Sequence, residues 1–226
     1  MYHSFCFPIN FFKGIIIFLT LFAILILFNT PVQSQQAFCY PDCYDDYWEP
    51  LPPSPPFTHQ ITLPCGEPVI ILYRTRIACG SFLDVFIEQI IFVNGYEGGQ
   101  NCGQTMSIAH MLESAMSQLV YDNPMQYPPT DSSRDTCVPN YRVMVGGCWH
   151  PTFPVGPGDF NEGTEQPPVI DAPAGLLVPC VYISCCIKYF DVCYVNGVKV
   201  VIYNPKRSTP GECDYLSHPA CYPACE

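Results

Sequence analysis

Fourteen of the fifteen cysteines in this chain follow one short apolar leader, and no other feature restricts its folding as tightly. Met1 to Lys13 carries a single Lys and no acid, Gly14 to Phe28 is an uncharged run rich in Ile, Leu and Phe, and Val32-Gln33-Ser34 suits a cleavage site. This pattern predicts an export signal over residues 1–34, cut after Ser34. The apolar run, about 15 residues, is shorter than the roughly 20 that a helix needs to cross a hydrocarbon core, so no membrane insertion is expected after leader removal. Cys39 follows Gln36-Ala37-Phe38 rather than a Leu-led lipobox, which argues against a lipid anchor.

Export delivers a chain to a compartment where thiols oxidise, so an even set of cysteines there reads as disulfides. The set is Cys39, Cys43, Cys65, Cys79, Cys102, Cys137, Cys148, Cys180, Cys185, Cys186, Cys193, Cys213, Cys221 and Cys225; Cys6 leaves with the leader. Cys185 and Cys186 are neighbours, and on a strand neighbouring side chains point to opposite faces, so they are expected to join different partners. A vicinal bridge between them is the strained alternative. Cys39-Tyr-Pro-Asp-Cys43 is echoed by Cys221-Tyr-Pro-Ala-Cys225, and the two elements are expected to clasp each end of the chain to its body. Their spacing also fits a four-thiolate zinc site, which would require all four sulfurs to be reduced.

Beyond Ser34 the chain has 192 residues, enough for a sizeable core, and carries eight cations against twenty acids, a net charge of −12. Nucleic acids and anionic membrane surfaces are bound by clustered Lys and Arg, and the one adjacent basic pair here is Lys206-Arg207. Neither is an expected partner.

Composition divides the remainder. Residues 35–58 are rich in Pro, Tyr and acid, and Pro50, Pro52, Pro53, Pro55 and Pro56 forbid a helix or an inner strand, so an extended arm is expected before a domain at 59–226. Two further Pro/Gly loops are expected at 123–140 and 151–179. Between them the periodicity is mostly two. Val69 to Ala78 and Phe82 to Val93 read as a hairpin around Cys79-Gly80-Ser81. Its register places Ile77 by Leu83, Thr75 by Val85 and Tyr73 by Ile87 on a core face. The opposite face, with Arg76 by Asp84 and Glu88 diagonal to Arg74, is expected to be wet.

Asn196-Gly197 is a type I′ turn signal, and counting outward pairs Val195 with Val198, Cys193 with Val200, Asp191 with Ile202 and Phe190 with Tyr203. The hairpin spans about 187–204. Its second face bears Phe190, Val192, Tyr194, Val201 and Tyr203 between Lys188 and Lys199, so either a layer covers it or it docks a partner. From Thr105 to Tyr121, Ile108, Met111, Leu112, Ala115 and Leu119 form one stripe of an amphipathic helix, capped by Thr105 or Ser107 and stopped by Asn123-Pro124. Short strands are expected at Tyr141 to Val145 and Cys180 to Ser184. The fold class is therefore α+β: a disulfide-rich antiparallel sheet with one packed helix and long Pro/Gly loops.

Catalytic motifs fail on spacing. Gly146-Gly147-Cys148-Trp149-His150 resembles a papain-type nucleophile segment, yet it follows a strand and too little chain remains for the distant His. His110 and Glu113 share a helix face without a second His one turn on. Asp159 to Gly163 lacks the bidentate Glu of a calcium loop. No phosphate loop or nucleophile elbow occurs.

The expected function is a secreted or cell-envelope binding module without catalysis or cofactor, meeting an extracellular protein or glycan surface. Its contact candidates are Tyr40, Tyr44, Tyr47 and Trp48 on the arm and Phe190, Tyr194 and Tyr203 on the hairpin, since rigid aromatics carry interface energy at small entropic cost. A small exported hydrolase assembled from His110, Glu113 and His150, or a zinc protein, is the alternative.

Overall fold

The computed structural model describes residues 39, 41–43, 45–51, 54–127, 137–153, 175–209, 213 and 221–225. The expected export signal, residues 128–136 and 154–174, and the turn expected at Asp159 to Gly163 lie outside the described residues. Strands β1 (Phe57–Thr62), β2 (Pro68–Ala78) and β3 (Phe82–Phe92) lead into helices α1 (Gly95–Gly103) and α2 (Ile108–Asp122). Strands β4 (Cys137–Pro151), β5 (Leu176–Val195), β6 (Val198–Thr209) and the short β7 (Tyr222–Pro223) follow. They form one sheet in the order β1-β2-β3-β4-β5-β6, with β7 added beside β4. The class is α+β, mostly antiparallel, with two helices among the described residues rather than the one expected.

Both expected hairpins are present in register. Ile77 faces Leu83, Thr75 faces Val85, Tyr73 faces Ile87 and Arg76 faces Asp84, and a bulge at Leu72/Tyr73 follows. Val195 faces Val198, Cys193 faces Val200, Asp191 faces Ile202 and Phe190 faces Tyr203. Asn196 and Gly197 take φ of 52° and 76°, the left-handed pair that a type I′ turn requires. A Cβ at Gly197 would meet nothing within 4 Å, so replacement meets backbone strain alone. Gly197→Ala is expected to cost about 1 kcal/mol and lower the thermal midpoint by about 2–4 °C; a calorimetric midpoint that stays put or rises would refute the turn assignment.

The strands expected at Tyr141 to Val145 and Cys180 to Ser184 lie inside the longer β4 and β5. One pairing departs from the antiparallel expectation: β3 and β4 run parallel from Leu83/Tyr141 to Phe86/Met144. Helix α2 starts at Ile108 with Ser107 as cap, its hydroxyl accepting from the His110 amide at 3.2 Å, and ends on Asn123 in the left-handed region at φ 48°. Helix α1 has no apolar stripe to announce it. It is held by the Cys65–Cys102 bridge, by Glu67 accepting from Asn94 at 2.8 Å and Asn101 at 2.9 Å, and by Phe153 against Gly99.

The sheet buries both faces, against different material. On the helix face, Val69, Ile71, Val85, Ile87, Val143, Val145 and Phe190 pack with Met111, Leu112, Ala115 and Leu119 of α2 into the main core. On the other face a smaller cluster joins Cys39 and Trp48 to Phe86, Met144 and Ile187. The described residues of the Pro-rich segment, 39, 41–43, 45–51 and 54, lie along the sheet as a strap. Glu49 bridges Thr75, and Arg74 donates to the carbonyls of Pro50 and Ser54. Three arginines, Arg74 and Arg76 on β2 and Arg142 on β4, hold the strap down.

Candidate functional site

The face expected to be wet is the most polar buried region of the described chain. Arg74, Arg76, Asp84, Glu88 and Arg142 are all buried under the strap. Alternation on β2 and β3 places Arg76 opposite Asp84, and the parallel partner β4 places Arg142 beside it. Arg142 grips Asp84 with two nitrogens, Nε to Oδ1 at 2.6 Å and Nη2 to Oδ2 at 2.8 Å, and Arg76 Nε donates to Oδ2 at 2.9 Å. Arg142 Nη1 continues to Asp42 on the strap at 2.9 Å. Arg74 Nε donates to Glu88 at 2.5 Å.

The remaining guanidinium nitrogens reach the strap backbone. Arg76 donates to the carbonyls of Cys43 at 3.0 Å, Asp46 at 3.2 Å and Asp42 at 3.0 Å, and its guanidinium carbon sits 4.8 Å from the centre of the Trp48 ring. Burial lifts the Asp84 carboxyl from its ordinary value, and hydrogen bonds and charge from Arg142 and Arg76 oppose that lift. Burial, with the nearby Asp84 charge, also pushes the Tyr127 phenol up, and its hydroxyl lies 2.6 Å from the Asp84 carbonyl. This region is a closed clasp. Its charges bind the chain's own strap, and the sign that they are internal is that each is met by protein.

Two contact candidates are corrected by burial. Trp48 is 1% exposed, packed 5.8 Å from the Phe86 ring under the strap, and Phe190 is 1% exposed in the main core. Tyr40 and Tyr44 lie outside the described residues. Tyr47 is 72% exposed, Tyr203 is 36% exposed and Tyr194 is half-buried. The second hairpin face is a covered one: Lys188 pairs with Glu113 of α2 at 3.0 Å, and Lys199 donates to the Tyr121 carbonyl at the end of α2.

The hairpin's other face is open. Val195, Val198, Val200 and Ile202 are 46%, 61%, 36% and 46% exposed along the β5–β6 tip. Strand β6 is a sheet edge, paired to β5 and to no other described strand. The exposed apolar residues that sequence reasoning overlooked are these aliphatics. The alternation placed them opposite Phe190 and Tyr203, which was the available signal.

Among the described residues, His110, Glu113 and His150 do not gather as a metal-ligand cluster. The group of three described residues whose ligand atoms lie within 4.8 Å of one another is Asp42, Cys43 and Cys79. Cys43 and Cys79 are joined as a disulfide, so no thiolate there is available to an ion. The fourteen cysteines form seven bridges: Cys39–Cys185, Cys43–Cys79, Cys65–Cys102, Cys137–Cys193, Cys148–Cys213, Cys180–Cys221 and Cys186–Cys225. The four sulfurs proposed as a zinc alternative therefore belong to four separate bridges. Cys185 and Cys186 take different partners on opposite faces, so the vicinal alternative falls as well. Comparison with protein-family models, curated proteins and solved structures finds no match.

Proposed function

We propose that this protein is an exported, cross-linked binding module without catalysis, and that its contact element is the edge strand β6. The cross-links support an oxidising destination, because thiols in a reducing compartment do not persist as bridges. The single observation that carries the contact reading is the open aliphatic row Val198, Val200 and Ile202 on a strand that pairs, among the described residues, with β5 alone. Such an edge takes another extended chain by main-chain hydrogen bonds, while alternate side chains set preference.

Charge selects the partner. The whole chain carries a net −11, yet Val198–Thr209 has no acid and its Lys206 is exposed. The occupant is an extended segment of another protein, alternating aliphatic residues with Asp or Glu. Panning a displayed library of short peptides against the oxidised protein is expected to enrich that pattern. Val200→Glu and Ile202→Glu, which remove apolar contact and add like charge, should each weaken the selected peptides about tenfold or more with unchanged circular dichroism. Peptides without acidic alternation, or binding indifferent to both variants, would remove β6 as the contact element.

A further inference from the structure

The seven bridges differ in what a thiol arriving from solvent would meet. Six of them have one buried half: Cys39, Cys102, Cys193, Cys148, Cys221 or Cys186. In Cys43–Cys79 neither half is buried; Cys79 is exposed and Cys43 is partly so. Thiol–disulfide exchange needs a line of attack on one sulfur and a leaving sulfur that can carry negative charge. Burial in apolar surroundings opposes the thiolate. Cys137 is exposed too, but attack there would expel Cys193, which is 1% exposed. Only at Cys43–Cys79 do both requirements meet water.

The backbone supplies an independent observation. Cys43 and Cys79 have φ of 53° and 52°, a left-handed conformation that side chains other than glycine avoid. Local bonds hold both there: the Asp46 amide donates to the Cys43 carbonyl at 3.1 Å, and the Cys79 amide donates to Asp46 Oδ2 at 2.7 Å. Opening the bridge removes one of the constraints on that conformation. The position also limits the damage. Cys43–Cys79 ties the strap to the β2–β3 turn, whereas Cys39–Cys185, the arginines and the Glu49–Thr75 bridge hold it on either side.

We propose that Cys43–Cys79 is a thiol-exchange site, a reducible latch on the strap, whose substrate is a thiolate. The incoming thiolate bonds to Cys79 Sγ as the Cys79–Cys43 bond breaks, and the electron pair leaves on Cys43 Sγ, which takes a proton from water. A second thiolate then attacks the external sulfur of the mixed disulfide; the two external thiols depart as a disulfide and Cys79 leaves as a thiolate. Two electrons have passed from two external thiols into the bridge. The charges around the leaving sulfur are mixed. The Arg76 guanidinium on the Cys43 carbonyl favours the thiolate, and the Asp42 carboxylate, within 4.8 Å of both sulfurs, opposes it. This site is independent of the β6 reading.

The test treats the oxidised full chain with graded glutathione redox buffers, quenches with acid, alkylates and maps the products by mass spectrometry. Cys43 and Cys79 should appear as glutathione adducts or free thiols about tenfold faster than any other bridged pair, while near-UV circular dichroism stays native. Asp42→Asn should accelerate the opening further. Opening of another bridge first, or release of all seven together with loss of the fold, would overturn the proposal. A Cys43→Ser/Cys79→Ser double variant should fold and stay unlabelled through the same window; a pair labelled early in it would overturn the proposal too. Should that variant fail to fold, the mapping of the parent chain decides alone.

Discussion

Complete reduction with excess phosphine is expected to unfold the protein at room temperature without denaturant. The bridges close segments of 36 to 146 residues, each large enough for a substantial effect on the unfolded chain. At about 2 to 4 kcal/mol apiece, the seven together exceed a typical net stability of about 5 to 15 kcal/mol. The noncovalent structure has little to replace them. One face of the sheet is sealed by a proline-rich strap and a layer of charges, and α1 has no apolar stripe with which to dock. Near-UV circular dichroism and sedimentation would read the collapse of packing. A fully reduced chain that keeps a cooperative thermal transition would refute the dependence on cross-links.

Asp84→Ala is the point substitution expected to cost most, about 3 to 5 kcal/mol. Asp84 is wholly buried between two wholly buried guanidiniums, and its removal takes from both the carboxylate they share, Arg76 against the Trp48 ring and Arg142 against the Phe82 ring. Salt cannot screen them there, and water cannot reach them without lifting the strap. Urea titration should show a lower midpoint with an unchanged slope, together with a change in Trp48 emission as its cover loosens. A loss smaller than about 1 kcal/mol would mean that the arginines find other acceptors, and the clasp would have to be redrawn.

Much of the sheet could be read from the chain because local turn chemistry and alternation agreed. Cys79-Gly80-Ser81 and Asn196-Gly197 fixed two registers residue by residue, and the Ile108 to Leu119 stripe located α2. The face of Arg76 and Asp84 was misread because charge on alternate positions usually means water. A signal was present: arginines and acids of both signs alternate on adjacent strands of a chain with nine cations in all. The parallel β3–β4 pairing joins residues more than a helix pair apart, and no local pattern encodes it. Helix α1 is Gly-rich and owes its position to a bridge and to Glu67, neither visible as periodicity. Sulfur connectivity was open for the same reason, since pairing is set by the finished fold. The open aliphatics of β6 were legible as a pattern, but which hairpin face α2 would cover was not.

The staples at Cys185 and Cys186 have a mechanical consequence. Cys39 is joined to one residue and Cys225 to the next, so the two ends of the described region meet across a single peptide link. Tension applied between flanking attachments would run from Cys39 through sulfur to β5, along that one link, and out through sulfur to Cys225. The sheet, the helices and the core would hang from this load path without carrying it. The folded body is therefore inextensible between its two ends for as long as those two bonds survive, however hard it is pulled.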